Sequence, residues 1–147
     1  MLTIEDNKNW IYPKLIHLCP HKELPAGKDD SWLLFINPTK DGDDMPPNFG
    51  KFCHCVFDDI DRPTSNLLLL SSGQARDMDD FIIGFFYSPD SDLFIPCPEG
   101  ISRSAAVFAA TVQHFFGIKN YLVWNQTCPN MHVFRLMVDA FERKDNI

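Results

Sequence analysis

The chain of 147 residues is 45% hydrophobic, enough for one sizeable buried core and hence a single domain over residues 1–147. Its formal charge of −7, with no basic run or stripe, excludes broad binding to nucleic acid or to an anionic membrane surface. No apolar run approaches the ~20 residues of a membrane span, Met1 to Asp6 lack a basic region followed by an apolar one, and five cysteines without paired spacing fit a reducing compartment, so a cytoplasmic protein with no membrane partner is expected.

Lys14–Cys19 and Trp32–Ile36 are the first short apolar runs that read as strands. Asn37 to Asn48 is polar and rich in Pro, Gly and Asp, so it reads as a long surface loop, of the kind that borders sites in open α/β folds. Phe52–Phe57 is the next strand; its alternation sets Cys53 and Cys55 on one face, and without a second ligand pair at metal spacing they read as core thiols. Three carboxylates follow at once, Asp58, Asp59 and Asp61. Ser72–Tyr87 has Met78, Phe81, Ile82, Phe85 and Phe86 at helical spacing, which marks a core-facing helix weakened by Gly84. Leu93–Ile95 reads as a strand stopped by the prolines at 96 and 98. A helix over Ser104–Phe116 ends at Gly117, and a last one over Met131–Glu142 is opened by Pro129 and Asn130. His17, His21, His54, His114 and His132 show no nucleophile–base spacing and read as ordinary. Strands alternating with helices imply an α/β fold, a mostly parallel central sheet flanked by helices, with its ligand site at the carboxyl ends of the strands.

The run Pro96-Cys97-Pro98-Glu99-Gly100-Ile101-Ser102-Arg103-Ser104 joins that strand to that helix. A thiol placed where backbone N–H groups and a helix N-terminus converge is expected to have a depressed pKa. The same donors suit the oxygens of a phosphoryl group, so Pro98, Glu99, Gly100, Ile101, Ser102 and Arg103 form the expected substrate-binding loop. Gly100 lets the backbone curl around the anion. Arg103 adds a bidentate clamp, Glu99 is placed to orient that guanidinium, and Ser104 is placed to donate a hydrogen bond to Cys97. A bare Cys-x5-Arg arises by chance in about a quarter of such chains, but requiring the Gly and the following Ser lowers this to roughly one in a thousand.

The loop resembles that of the cysteine-dependent phosphatases of the protein tyrosine phosphatase superfamily: Cys, five residues, Arg, then Ser or Thr. Its Gly-Ile-Ser-Arg-Ser-Ala-Ala form is most similar to the dual-specificity branch, and above all to its small bacterial and phage members. The likeness is strongest from Phe52 to Phe141 and looser before that. It implies the dual-specificity phosphatase fold and hydrolysis of phosphomonoesters, phosphorylated proteins first among them, through a cysteinyl-phosphate. No metal or cofactor is implied. In such enzymes an Asp after the strand upstream of the loop is the general acid; the Phe-x-Asp-Ile pattern puts Asp59 first, Asp61 second and Asp58 third. The resemblance also implies that Asn130 supports the loop, beside its plain reading as a helix N-cap. Two positions depart from the family. Pro96 replaces the His that precedes the nucleophile, and Pro98 brings no N–H to the cradle. The alternative is therefore a catalytically weak or inactive phosphatase-like module that binds phosphorylated ligands. A thiol enzyme of rhodanese or arsenate-reductase type, with Cys128 as the second cysteine, is a third reading.

Overall fold

Apolar strand sequences come together here as one five-stranded sheet of order β1-β2-β5-β3-β4 in a computed structural model that describes residues 1–6, 9–118 and 121–145. The strands are β1 (Leu2–Asp6), β2 (Lys14–Pro20), β3 (Ser31–Asn37), β4 (Lys51–Val56) and β5 (Asp92–Cys97). Pairing is parallel from β2 through β5 and β3 to β4, and only the edge strand β1 runs antiparallel. The helices are α1 (Ser72–Tyr87), α2 (Arg103–Thr111), α3 (Tyr121–Gln126) and α4 (Met131–Asp145). A π-helical turn, Val112–Phe116, prolongs α2 and stops at Gly117, whose left-handed φ of 68° favours glycine. No helix among the described residues is long and apolar enough to cross a membrane.

β3 is buried along its whole length, which explains why Trp32 to Ile36 is a continuous apolar run. Alternation divides it between two cores. Trp32, Leu34 and Ile36 join the larger one with the apolar faces of α1, α2 and α4, whereas Leu33 and Phe35 meet Phe94 on the other face under Leu24, Met45 and Phe49. The second face is thus covered by loop side chains rather than by a helix.

Both ends of α1 are tied to the sheet. At its start Ser71 and Gln74 form a reciprocal capping box, and the Gln74 amide also donates to the Val56 carbonyl at the end of β4. At its far end the Lys14 ammonium, fully buried, donates to the carbonyl oxygens of Phe85, Ser88 and Asp90 at 2.8, 2.8 and 2.5 Å. A cation there also opposes the negative end of the helix. Gly84 does not interrupt α1; a Cβ built there would meet the Trp32 ring at 3.6 Å, an ordinary contact.

The end of β5 and two short elements depart from expectation. β5 does not stop before Cys97 but carries Pro96 as a paired residue opposite Cys19. Proline is tolerated because the β3 ladder has already ended at Phe94, so no donor is required toward that neighbour. β1, with alternating exposure along Leu2–Asp6, and the short α3 were not expected.

Candidate active site

The last residue of β5 is Cys97, and its side chain is 2% exposed. Its sulfur lies 2.9 Å from the Ser104 hydroxyl and accepts the Gly100 N–H at 3.2 Å. The loop curls this tightly because of Gly100. Its φ is 70°, and a Cβ there would stand 2.5 Å from the Pro20 nitrogen and 2.7 Å from the Cys19 carbonyl carbon. Conformation and space therefore both demand glycine. Cys19, behind the loop, is a poor rival nucleophile: burial above all, with smaller contributions from Glu23 and Cys97 against the N-terminal amine, pushes its thiol up to about 11.

Arg103 opens α2 and is only 8% exposed. One Nη donates to the carbonyl of Phe57 at 2.9 Å, but its buried Nε has no hydrogen-bond partner. Glu99 was expected to orient this guanidinium. Instead it is exposed and makes no ion pair with Arg103 among the described residues; a main-chain oxygen at the end of the β4 segment does the orienting. Cys97 and Arg103 share a cavity of about 270 Å³, with Pro98, Glu99, Ile101 and Ser102 of the same loop around it.

The three carboxylates after β4 have three different surroundings. Asp58 is buried and fully engaged: Thr39 N–H and Leu68 N–H donate to it at 3.1 and 2.7 Å, and the Thr39 hydroxyl at 2.8 Å. Burial alone would raise its pKa, but these donors and the Arg103 charge outweigh it and hold the carboxyl below the ordinary range. Asp58 thereby staples the loop after β3 to the loop after β4. Asp61 is exposed and paired with Arg62 at 3.0 Å, which lowers its pKa through that hydrogen bond and charge. Asp59 alone of the three lines the cavity of Cys97 and Arg103. Its Oδ1 accepts from the Ser102 hydroxyl at 2.7 Å and from the Asn130 amide at 2.9 Å, while Oδ2 takes no hydrogen bond among the described residues.

Asn130 makes hydrogen bonds in three directions. Its Oδ1 accepts the Val133 N–H at 3.2 Å as the N-cap of α4, and its Nδ2 donates to Asp59 and to the Ile60 carbonyl. Its own N–H reaches the Ser102 carbonyl at 3.1 Å, and the Cys128 N–H reaches that of Ile101 at 2.9 Å. The start of α4 thus holds the thiol loop and the acid loop together. Cys128 itself is exposed and lines a second cavity, about 500 Å³, that shares Asp59 and Ser102 with the first.

The long polar loop after β3, of the kind expected to border a site, supplies the opposite wall through Pro38 and Asp41, two residues that the sequence did not single out. Asp41 has φ 59°, a left-handed conformation that Asp tolerates better than most residues, and the Asp41-Gly42 pair was the one available sign of a tight turn there. Away from this site the histidines serve local contacts: His17 with Thr3 and Asp92, His21 with Asp43, His132 with the Leu70 carbonyl. Cys55 is buried and Cys53 half-buried, and no cluster of metal-ligating side chains occurs among the described residues. No family model matches the sequence, and no curated protein is similar enough to count as a match.

Proposed function

We propose that this chain is a cysteine-dependent phosphomonoester hydrolase of the dual-specificity phosphatase type, acting on phosphorylated protein side chains, phosphotyrosine first. The observation that carries the reading is the pairing of a strand-end thiol with a nine-tenths buried guanidinium that keeps one N–H unpartnered, both facing one small cavity. A buried donor without an acceptor costs stability, so its retention beside a nucleophile points to an anion that completes it. The mixed, mostly parallel sheet with the thiol loop between β5 and α2 is compatible with that fold.

In the first step the Cys97 sulfur attacks phosphorus in line as the bond to the leaving oxygen breaks, and Asp59 gives its proton to that oxygen. Two donors on Oδ1 leave Oδ2 as the oxygen that carries the proton. In the second step water attacks phosphorus and loses a proton to Asp59, the sulfur–phosphorus bond breaks, and inorganic phosphate departs. The Ser104 hydroxyl, 2.9 Å from sulfur, steadies the departing thiolate. Arg103 and the loop N–H groups hold the equatorial oxygens in both steps. The scheme requires no metal.

Hydrolysis of para-nitrophenyl phosphate with a chelator present, between about pH 5 and 8, tests the reading. Turnover by wild type that vanishes in Cys97→Ser supports it. Absence of turnover in folded protein that still binds tungstate would replace it with a phosphate-binding module, the outcome that the missing N–H of Pro98 favours.

A further inference from the structure

The walls of the cleft carry the wrong charge for an anion, apart from its floor. Asp41, Asp59 and Glu99 line the cavity around Cys97, and Asp59 and Asp61 line its neighbour; the cation that lines these cavities with them is the buried guanidinium of Arg103, while Arg62 pairs with Asp61 from the solvent side. A dianionic phosphoryl group that reaches Arg103 enters a cavity whose walls carry Asp41, Asp59 and Glu99. Arg103 nevertheless lines this cavity, and its buried Nε lacks a hydrogen-bond partner, as expected of a guanidinium that an anion completes. The two facts agree when the molecule that brings the phosphate also brings positive charge beside it.

The second cavity supplies a place for that charge. At about 500 Å³ it lies within the size range of small-molecule and side-chain sites, and its wall at Asp59 and Ser102 is also the wall of the phosphate cavity. Its surface is mixed. Met131, 40% exposed, and Pro129 offer apolar area, and Asp61 stands at the edge. Lysine and arginine have this profile in reverse, an apolar stem that packs on such surface and a charged tip that seeks a carboxylate. The structure contains an internal precedent, since the Arg62 guanidinium already reaches Asp61 at 3.0 Å from the solvent side. With four-fifths of the Arg62 side chain exposed, that pair is weak and exchangeable.

We propose that this second cavity is a specificity subsite for a lysine or arginine next to the phosphorylated residue, so that the substrate is a phosphoprotein segment of basic character. The proposal rests on the phosphatase reading and narrows its substrate class. Inositol polyphosphates, nucleic-acid ends and phosphopeptides flanked by Glu or Asp are disfavoured by the same carboxylates.

Matched phosphotyrosine peptides flanked by Lys/Arg, by Ala or by Glu test it, with para-nitrophenyl phosphate, which has no flanking residues, run alongside. Each exposed pair contributes a factor of about 1.5 to 5, so the ratio of kcat/KM for the basic over the acidic peptide is expected to be roughly 10 at about 50 mM salt, and to shrink toward one at about 500 mM. Asp61→Lys should reverse the ratio, and its turnover of para-nitrophenyl phosphate reports whether the variant remains folded and active. A ratio near one for wild type at low salt, with para-nitrophenyl phosphate still hydrolysed, overturns the subsite and leaves the phosphatase reading intact. No turnover of any of these compounds by wild type overturns both.

Discussion

Two cationic side chains are buried among the described residues, at opposite ends of the sheet, and they are treated differently. Lys14, at the start of β2, spends its ammonium protons on three carbonyl oxygens and is fully buried; Arg103, beyond the end of β5, gives one Nη to Phe57 and leaves Nε without a partner. Burial lowers the pKa of Lys14, and the neighbouring Asp90 partly restores it. A saturated buried cation fixes structure, because its acceptors hold loop and helix end in one arrangement. An unsaturated one carries a standing cost that only a ligand removes. The difference separates the end of the fold that is built for rigidity from the end that is built for chemistry.

The largest effect is expected where the unsaturated cation is altered. Arg103→Lys keeps the charge but loses the planar fork, so kcat/KM on aryl phosphate should fall roughly 10³-fold, about 4 kcal/mol of transition-state stabilisation. Thermal stability should change little, and a large fall in Tm would mean that Arg103 is a structural cation like Lys14. The mirror experiment is Lys14→Met. Three carbonyls lose a charged donor, and unfolding by urea should show a loss of about 3 kcal/mol, with kcat/KM near wild type while the protein stays folded. If the stability holds, the contrast between the two ends collapses.

Asp58 is a carboxylate on the same footing as Lys14, saturated by neighbours, yet close to the site. Asp58→Asn should cost about 2 kcal/mol near neutral pH, because one oxygen no longer accepts its N–H and hydroxyl donors. Since the folded-state pKa lies below the ordinary carboxylate value of 3.8, this stabilisation is present above that value and fades as pH falls through the lower folded one. The stability gap between wild type and variant should therefore narrow in acid. A gap independent of pH would show that the carboxylate charge is not what the Thr39 and Leu68 donors hold. Because Asp58 joins the loop of Asp41 to the loop of Asp59, some loss of turnover should accompany the loss of stability.

What could be read from the chain beforehand follows a physical line. Cys97 and Arg103 lie within one loop, so local spacing carried them, and the bounds of α1 were legible because Ser72 to Tyr87 repeats its apolar residues at helical spacing. The mostly parallel sheet followed from continuous apolar runs such as β3. The end of β5 was not legible, since whether Pro96 breaks a strand depends on where the β3 ladder stops, which is a property of the neighbour. The edge strand β1 hid in a short alternation, and α3 has too few residues to show a period. In the site, the Phe57 carbonyl that orients Arg103 could not be seen, because main-chain acceptors leave no trace in side-chain patterns; the loop after β3 was legible as a border of the site, but that Pro38 and Asp41 are its residues at the cavity is decided by tertiary structure. Asp58, Asp59 and Asp61 were ranked in sequence by the family pattern alone, with no physical ground to tell them apart. Burial and donors separate them, holding Asp58 inside, pairing Asp61 with Arg62 and leaving Asp59 at the cavity.

The smallest effect is the one that bears most directly on the comparison. If the free Nε of Arg103 awaits an anion, then an oxyanion that occupies the cavity must stabilise the fold by mass action, and by an amount set only by its concentration relative to Kd. Tungstate at ten times its Kd should add about 1.4 kcal/mol, a rise in Tm of roughly 2 to 5 °C for a domain of this size. Arg103→Lys should lose most of that rise, whereas Lys14→Met, starting from a lower Tm, should keep it whole, because its lesion lies at the other end of the sheet. An equal rise in both variants would place the anion elsewhere on the surface. No rise in wild type would mean that the loop, with proline on both sides of its cysteine, is closed to oxyanions and that the unpartnered nitrogen is only a flaw in packing.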